Sequence, residues 1–224
     1  MKYNTNYYRE FLKKIIFRYT HFGKPKYEFC IEPIQLSKII ESIENVLLDK
    51  RNDNSCFVEI GVARGMTSRF IAEHLRCTKI KKNFYCIDTF SSFTDEDLNF
   101  EVNIRGKSKR ELLGFSYNDF EKWKENFKNF EMVKAIKADI NHFDFSKIEK
   151  ISFCFLDVDL YNPTKNALKN ILPFLSENSI IMVDDVVESG AWDGAGQAFK
   201  EFVKEKSLDY SIVGNKCGLI KFLK

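Results

Sequence analysis

The sequence predicts an α/β fold: a mostly parallel sheet with helices on both faces, a closing antiparallel hairpin and a helical extension on the N-terminal side. Three observations predict it. From residue 56 onward, short apolar runs alternate with segments of helical periodicity. A glycine-bearing turn, Gly61-Val62-Ala63-Arg64-Gly65, joins the first apolar run to the first helical segment. The run ISFCFLD at 151–157 is almost wholly apolar, as a central parallel strand covered on both faces must be.

The elements follow in order. Tyr8, Phe11, Leu12, Ile15, Ile16 and Tyr19 recur at helical spacing, so residues 6–20 read as an amphipathic helix with Arg9, Lys13, Lys14 and Arg18 off the apolar stripe. That stripe suits packing on the domain or on a second subunit better than a membrane surface. Pro25 and Pro33 mark a linker, and residues 34–49 form a second amphipathic helix. CFVEI (56–60) is the first strand, GVARGMTS leads into a helix ending at Arg76, and FYCID (84–88) is the second strand. Residues 89–116 are polar and weakly periodic, which predicts a lid or substrate loop with short helical pieces. Phe120, Trp123, Phe127 and Phe130 mark a helix that Asn118 can cap. MVKAI is the third strand and 151–157 the fourth; PTKNALKNILPFL is a helix with Pro163 in its first turn. SIIMVDD is the fifth strand, a helix covers 194–206, and YSIV with CGLIKFL closes the sheet as a hairpin. Residues 1–55 thus read as a helical extension that is not independent, and 56–224 as the sheet domain.

Composition narrows the function. With 22 Phe and 9 Tyr in 224 residues, the chain carries far too much aromatic mass to remain disordered. Lys+Arg 35 against Asp+Glu 32 leaves +3, too balanced to argue for nucleic acid. No stretch has the roughly 18 apolar residues of a transmembrane helix, and the first residues lack a signal-peptide core, so a cytoplasmic protein is expected. The six cysteines form no metal-binding spacing and read as small hydrophobes.

The chemistry gathers at strand ends. The turn after the first strand reads ExGxxxG, from Glu59 through Gly61 to Gly65, and the helix it opens presents an N-terminus to an anionic group. Thr67 and Ser68, at the start of that helix, join the same cofactor-binding set. Asp88 ends the second strand, where a carboxylate can accept the hydroxyls of a ribose. Asp139 follows the third strand, on the same edge, where an adenine would lie. Together they favour an adenosine-containing cofactor; the loop lacks the lysine of a phosphate cradle, so a cofactor bearing an amine and a carboxylate fits better than a nucleoside triphosphate.

The fourth strand ends Asp157-Val158-Asp159 and the fifth ends Asp184-Asp185. Neighbouring parallel strands would crowd these carboxylates into one spot, where like charges repel unless a cation joins them. Hard oxygen ligands select Mg²⁺, or else Mn²⁺ or Ca²⁺, over zinc. Asp157 alternatively faces the cofactor or caps the following helix, and it is assigned to the cofactor.

With these residues in hand, the chain resembles a class I S-adenosylmethionine-dependent O-methyltransferase, and more narrowly the macrocin O-methyltransferase (TylF/MycF) family of sugar O-methyltransferases. FVEIGVARGMTS, YCIDTFSSF, KWKENFKNF, LDVDLYNPTKNALKNILPFL and SIIMVDDVVESGAWDGAGQAFKEF carry the resemblance, over residues 56–206. It implies the Rossmann-like methyltransferase sheet. It implies that Glu59, Gly61 and Gly65 hold the methionine end of the cofactor, Asp88 the ribose and Asp139 the adenine side. It implies that Asp159, Asp184 and Asp185 hold a divalent metal, with Asp159 also the proton acceptor. His142, just past the third strand, is a second candidate base by reach. The expected acceptor is a sugar or nucleotide-sugar; Arg105 and Arg110 are candidate grips for a phosphate of the latter. The Lys-, Asn-, Ile- and Phe-rich composition tilts the expectation toward bacterial capsule or lipopolysaccharide precursors. A homodimer or higher homo-oligomer is expected, with no nucleic-acid partner. The alternatives are an O-methyltransferase of a glycosylated natural product or a catechol-like phenol, a nicotinamide-dependent oxidoreductase, and a non-catalytic module.

Overall fold

In the computed structural model, which describes residues 4–23, 26–27, 29–187 and 189–222, the alternating pattern becomes one seven-stranded sheet. The strands are β1 (Ser55–Ile60), β2 (Phe84–Asp88), β3 (Val133–Lys137), β4 (Lys150–Leu156), β5 (Leu175–Val183), β6 (Tyr210–Val213) and β7 (Cys217–Lys221). Their order is β3-β2-β1-β4-β5-β7-β6. All pairs from β3 to β5 are parallel. Strand β7 joins β5 antiparallel and pairs with β6 as the closing hairpin. The chain order reverses between β1 and β4, so the C-terminal ends of these two strands flank the crevice where an open α/β sheet takes its ligand.

The helices are α1 (Asn4–Tyr19), α2 (Pro33–Leu47), α3 (Met66–Cys77), α4 (Asp95–Asn103), α5 (Phe120–Phe127), α6 (Tyr161–Ile171) and α7 (Asp193–Glu205). Two compact units result, Met1–Cys30 with α1 and Ile31–Lys224 with the sheet, so α2 belongs with the sheet. Pro33 is not linker but the first residue of α2. Its fixed φ suits a first helical turn, and Glu32 with Gln35 closes a capping box there. Helix α5 begins at Phe120 because Asp119, not the expected Asn118, caps it: its carboxylate accepts from the Lys122 amide at 2.7 Å. The polar stretch 89–116 holds one real helix, α4, capped by Thr94, whose hydroxyl accepts from the Asp97 amide at 3.1 Å.

Six-residue β1 and the last six residues of β4 are buried throughout, which is why both read as unbroken apolar runs. Phe57, Phe153, Phe155 and Phe199 have no exposed surface. Truncating any of them to Ala would cost about 3–5 kcal/mol. Cys56, Cys86, Cys154 and Cys217 are buried among these chains as free thiols, and Cys30 and Cys77 are exposed. Among the described residues no helix is long and apolar enough to cross a membrane.

Candidate active site

Two glycines shape the floor of the crevice, each for a packing reason. Gly61 sits at φ +82, and a Cβ there would stand 1.8 Å from the Asp157 carbonyl oxygen; only glycine lets the tip of β1 pass the tip of β4. Gly65, at φ +84, caps α3, and a Cβ there would meet the Phe127 ring at 2.7 Å and Trp123 Nε1 at 2.8 Å. Trp123 and Phe127 stack at 4.0 Å between centroids, so α5 is pressed against this turn.

Glu59, the last but one residue of β1, is 1% exposed, and its Oε2 has no hydrogen-bond partner. Burial pushes its carboxyl up to about 8. The Ser68 hydroxyl, on the first turn of α3 and wholly buried, is likewise unpartnered. Ser68 lies close enough to Glu59 to offset part of that rise, but neither group has a full hydrogen bond; such groups cost about 1–3 kcal/mol each, so the pair fits a ligand that brings both a donor and an acceptor. Thr67 precedes Ser68 on the same turn and is half-buried. Asp88 organises the turn above them: Oδ2 accepts from the Val62 amide at 2.7 Å and the Ala63 amide at 3.2 Å, while Oδ1 accepts from Phe90 at 2.7 Å. It stands at the tip of β2, where Oδ1 also accepts a long bond from the Thr89 hydroxyl at 3.4 Å.

Asp139 stands past β3 and caps a single 3₁₀ turn through the Asn141 amide at 2.9 Å. Its other oxygen meets His142 Nδ1 at 3.0 Å. The His142 side chain is 72% exposed. In the strand order β3 is three places from β4, about 14 Å at the usual strand spacing. His142 is not among the residues whose ligand atoms converge at the acidic tips; its exposed ring meets Asp139 instead. His74 is held by Glu44 at 2.7 Å, joining α3 to α2.

The acidic residues do converge. Ligand oxygens of Asp157, Asp184 and Asp185 lie within 4.8 Å of one another, with Asp157 in the trio where sequence reasoning placed Asp159. Asp159 lies against Asp185. Burial, then the Asp185 charge, pushes its carboxyl up to about 8. Burial and the Asp184 charge push Asp157 well up, and burial with Asp185 raises Asp184. Asp159 and Asp185 both adopt φ +59, left-handed backbone that non-glycine residues rarely take, so both tips are bent to present these side chains.

Two partners of this corner escaped sequence reasoning. Gln35, fully buried on α2, donates from Nε2 to Asp184 Oδ1 at 2.7 Å. Lys216, in the β6–β7 turn, meets Asp184 Oδ2 at 2.8 Å and Asp185 Oδ1 at 2.6 Å. A polar residue on the apolar stripe of α2 was the signal for Gln35; nothing local marks Lys216. The Arg105 guanidinium, expected to grip a phosphate, is instead committed to Glu101 at 2.8 Å, Asp193 at 2.5 Å and the side-chain oxygen of Gln197. Arg110 is exposed.

Comparison with known proteins agrees with this fold. The fold matches "Structure of the O-methyltransferase NovP" at a TM-score of 0.70, with 18% identity over 89% of this chain and 84% of that one. It matches the calicheamicin methyltransferase CalS11 at 0.62, with 13% identity over 99% and 94%. It also matches SMU.1697c, a methyltransferase-like protein of Streptococcus mutans solved with SAH, at 0.53, with 19% identity over 87% and 100%. Among curated protein sequences none matches significantly. The sequence model of a family described as "Methyltransferase domain" matches residues 58–186, from the middle of β1 through the acidic tip of β5. The chain belongs to this family of methyltransferase domains.

Proposed function

We propose that the chain is an O-methyltransferase of the macrocin (TylF/MycF) type, transferring the methyl of S-adenosylmethionine to a sugar hydroxyl with the help of Mg²⁺ or Mn²⁺. The acceptor is a nucleotide-linked or polysaccharide-precursor sugar of a bacterial capsule or lipopolysaccharide. One observation carries the reading: a largely buried cluster of carboxylates at the tips of β4 and β5, next to the buried Glu59 at the end of β1. Similarity to the apo structure of CalS11, a "TDP-rhamnose 3'-o-methyltransferase", at a TM-score of 0.57 and 15% identity, supports the sugar class.

The residues fit both groups. S-adenosylmethionine, when bound, supplies a methyl already activated on a sulfonium. Glu59 Oε2 is an acceptor for its ammonium and Ser68 a donor for its carboxylate; Asp88, at the end of β2, is the carboxylate nearest in role to a ribose partner, though ribose hydroxyls would share it with the turn amides it already holds. Asp157, Asp184 and Asp185, with Asp159 beside them, form a hard-oxygen donor set in which one ammonium, Lys216, faces four carboxylates. A divalent cation there supplies the charge that lowers the pKa of a sugar hydroxyl.

The protein's own work is alignment and proton removal. Holding the acceptor in line behind the methyl can supply roughly 7–11 kcal/mol of the barrier. With S-adenosylmethionine held by Glu59, Ser68 and Asp88, its sulfonium would supply the methyl and a neutral thioether leaving group. The Asp159 carboxylate takes the hydroxyl proton. Asp159 is favoured over His142 as the base because it lies in the acidic corner, whereas the exposed His142 ring meets Asp139. Membership of a methyltransferase family sets aside the nicotinamide-dependent oxidoreductase.

A methyl-transfer screen over nucleotide-sugars, free sugars and catechols, read by product mass, tests the proposal. Methylated nucleotide-sugar is expected. Methylation of catechols alone would overturn the sugar assignment.

A further inference from the structure

The geometry points to Lys216 as a resident counter-cation of the acidic corner, one that competes with a divalent ion for Asp184 and Asp185 and so sets the affinity for that ion. The inference rests on the metal-dependent reading above and goes beyond it.

Lys216 is no casual surface lysine. Its ammonium bridges Asp184 Oδ2 at 2.8 Å and Asp185 Oδ1 at 2.6 Å, two of the three carboxylates whose oxygens gather within 4.8 Å. Its side chain is 21% exposed, and that of Asp184 is 2%. The turn that carries it is fastened on two sides. Its own carbonyl accepts from the Val186 amide at 2.8 Å, directly after the acidic pair. The next residue back, Asn215, donates its amide to Glu32 Oε2 at 2.8 Å and its side-chain amide to Glu32 Oε1 at 2.5 Å. Gly214 completes the turn at φ +64, where a Cβ would stand 1.9 Å from Glu32 Oε2. The cap of α2, the β6–β7 turn and the tip of β5 thus converge to hold one ammonium at one place.

The other Asp184 oxygen accepts from Gln35, so both of its oxygens are engaged. A divalent ion that used Asp184 and Asp185 would have to share or take over the oxygens that Lys216 holds. A positive charge kept beside the ion also opposes it directly by Coulomb repulsion. The ammonium therefore keeps the corner folded without metal and raises the metal concentration needed to fill it.

Mn²⁺ alone is titrated into the full-length wild-type protein, Lys216→Met and Lys216→Arg, with free Mn²⁺ followed by electron paramagnetic resonance. Thermal melting is recorded with and without the ion. Lys216→Met is expected to bind Mn²⁺ about tenfold or more tightly than wild type, since one unit charge is removed close to the ion. Lys216→Arg, which keeps the charge, is expected to bind no more tightly than wild type. Lys216→Met is also expected to melt lower than wild type without metal and to gain more from Mn²⁺. Tight binding that is equal in wild type and Lys216→Met, or weaker in the variant, overturns the role of Lys216 and leaves the metal reading standing. No binding in any of the three overturns both.

Discussion

Arg105 Nε meets Glu101 Oε2 at 2.8 Å where the two side chains are 10% and 1% exposed. The other Glu101 oxygen accepts from the Tyr161 amide at 2.8 Å, at the start of α6, and Arg105 goes on to Asp193 at the start of α7. One buried ion pair thus ties α4, the helix inside the polar stretch after β2, to the helices that follow both acidic strand tips. Gly194 permits the approach, since a Cβ there would lie 2.5 Å from the Tyr161 amide nitrogen.

Arg105→Met is expected to destabilise the protein by about 3–5 kcal/mol, because it leaves the Glu101 carboxylate buried without its partner. Urea unfolding measures this. A loss below about 1 kcal/mol, the range of an exposed pair, would show that the clasp is solvated in solution.

Glu59 makes the ligand-free protein sensitive to pH. Burial holds its carboxyl at about 8 against an ordinary 4.5. Between those values the folded protein binds more protons at this site than the unfolded chain does, so this contribution to stability is lost as pH rises through the window. Glu59→Gln removes the titration. The stability of wild type relative to Glu59→Gln, from urea unfolding at several pH values, is expected to fall steadily from acid to neutral and level off above about 8. A pH-independent difference would place Glu59 in water.

The two glycines of the turn differ in what they must avoid. Gly61→Ala drives a Cβ into the backbone of β4 at 1.8 Å, whereas Gly65→Ala meets aromatic side chains at 2.7 Å that can shift. Gly61→Ala is expected to cost more than about 4 kcal/mol, and Gly65→Ala less, by thermal or chemical melting. Equal effects would mean that Trp123 and Phe127 are as immovable as backbone.

Asp159→Asn is expected to lower turnover by about 10²–10⁴-fold, the range of a lost general base. Its affinity for S-adenosylhomocysteine, measured by calorimetry, is expected to stay unchanged. Normal turnover would remove Asp159 from the chemistry.

The sheet was legible because β1 and β4 are buried on both faces and so read as apolar runs, and because acidic residues end the strands on either side of the switch point. Elements whose limits rest on one hydrogen bond were less so. Asn118 and Asp119 are adjacent caps of similar chemistry, and only the Asp119 contact with the Lys122 amide decides between them. A glycine at position 61 suggests room for a ligand; its Cβ space is taken by the β4 backbone, a contact between segments almost a hundred residues apart. Lys216 and Gln35 reach the corner from opposite ends of the chain, 31 and 149 residues from the aspartates they hold. Arg105 lies in a basic run whose composition resembles a solvated face, and its acidic partners Asp193 and Glu101 come from two helices.

The central claim is that carboxylates at the tips of β4 and β5 hold a divalent ion that O-methylation of the acceptor requires. The most direct test is methyl transfer to the acceptor found in the screen, measured on metal-stripped protein with and without added Mg²⁺, alongside Asp184→Asn. Turnover absent after chelation, restored by Mg²⁺ in wild type and not restored in Asp184→Asn, is the predicted result. Undiminished turnover in the presence of excess chelator would contradict it.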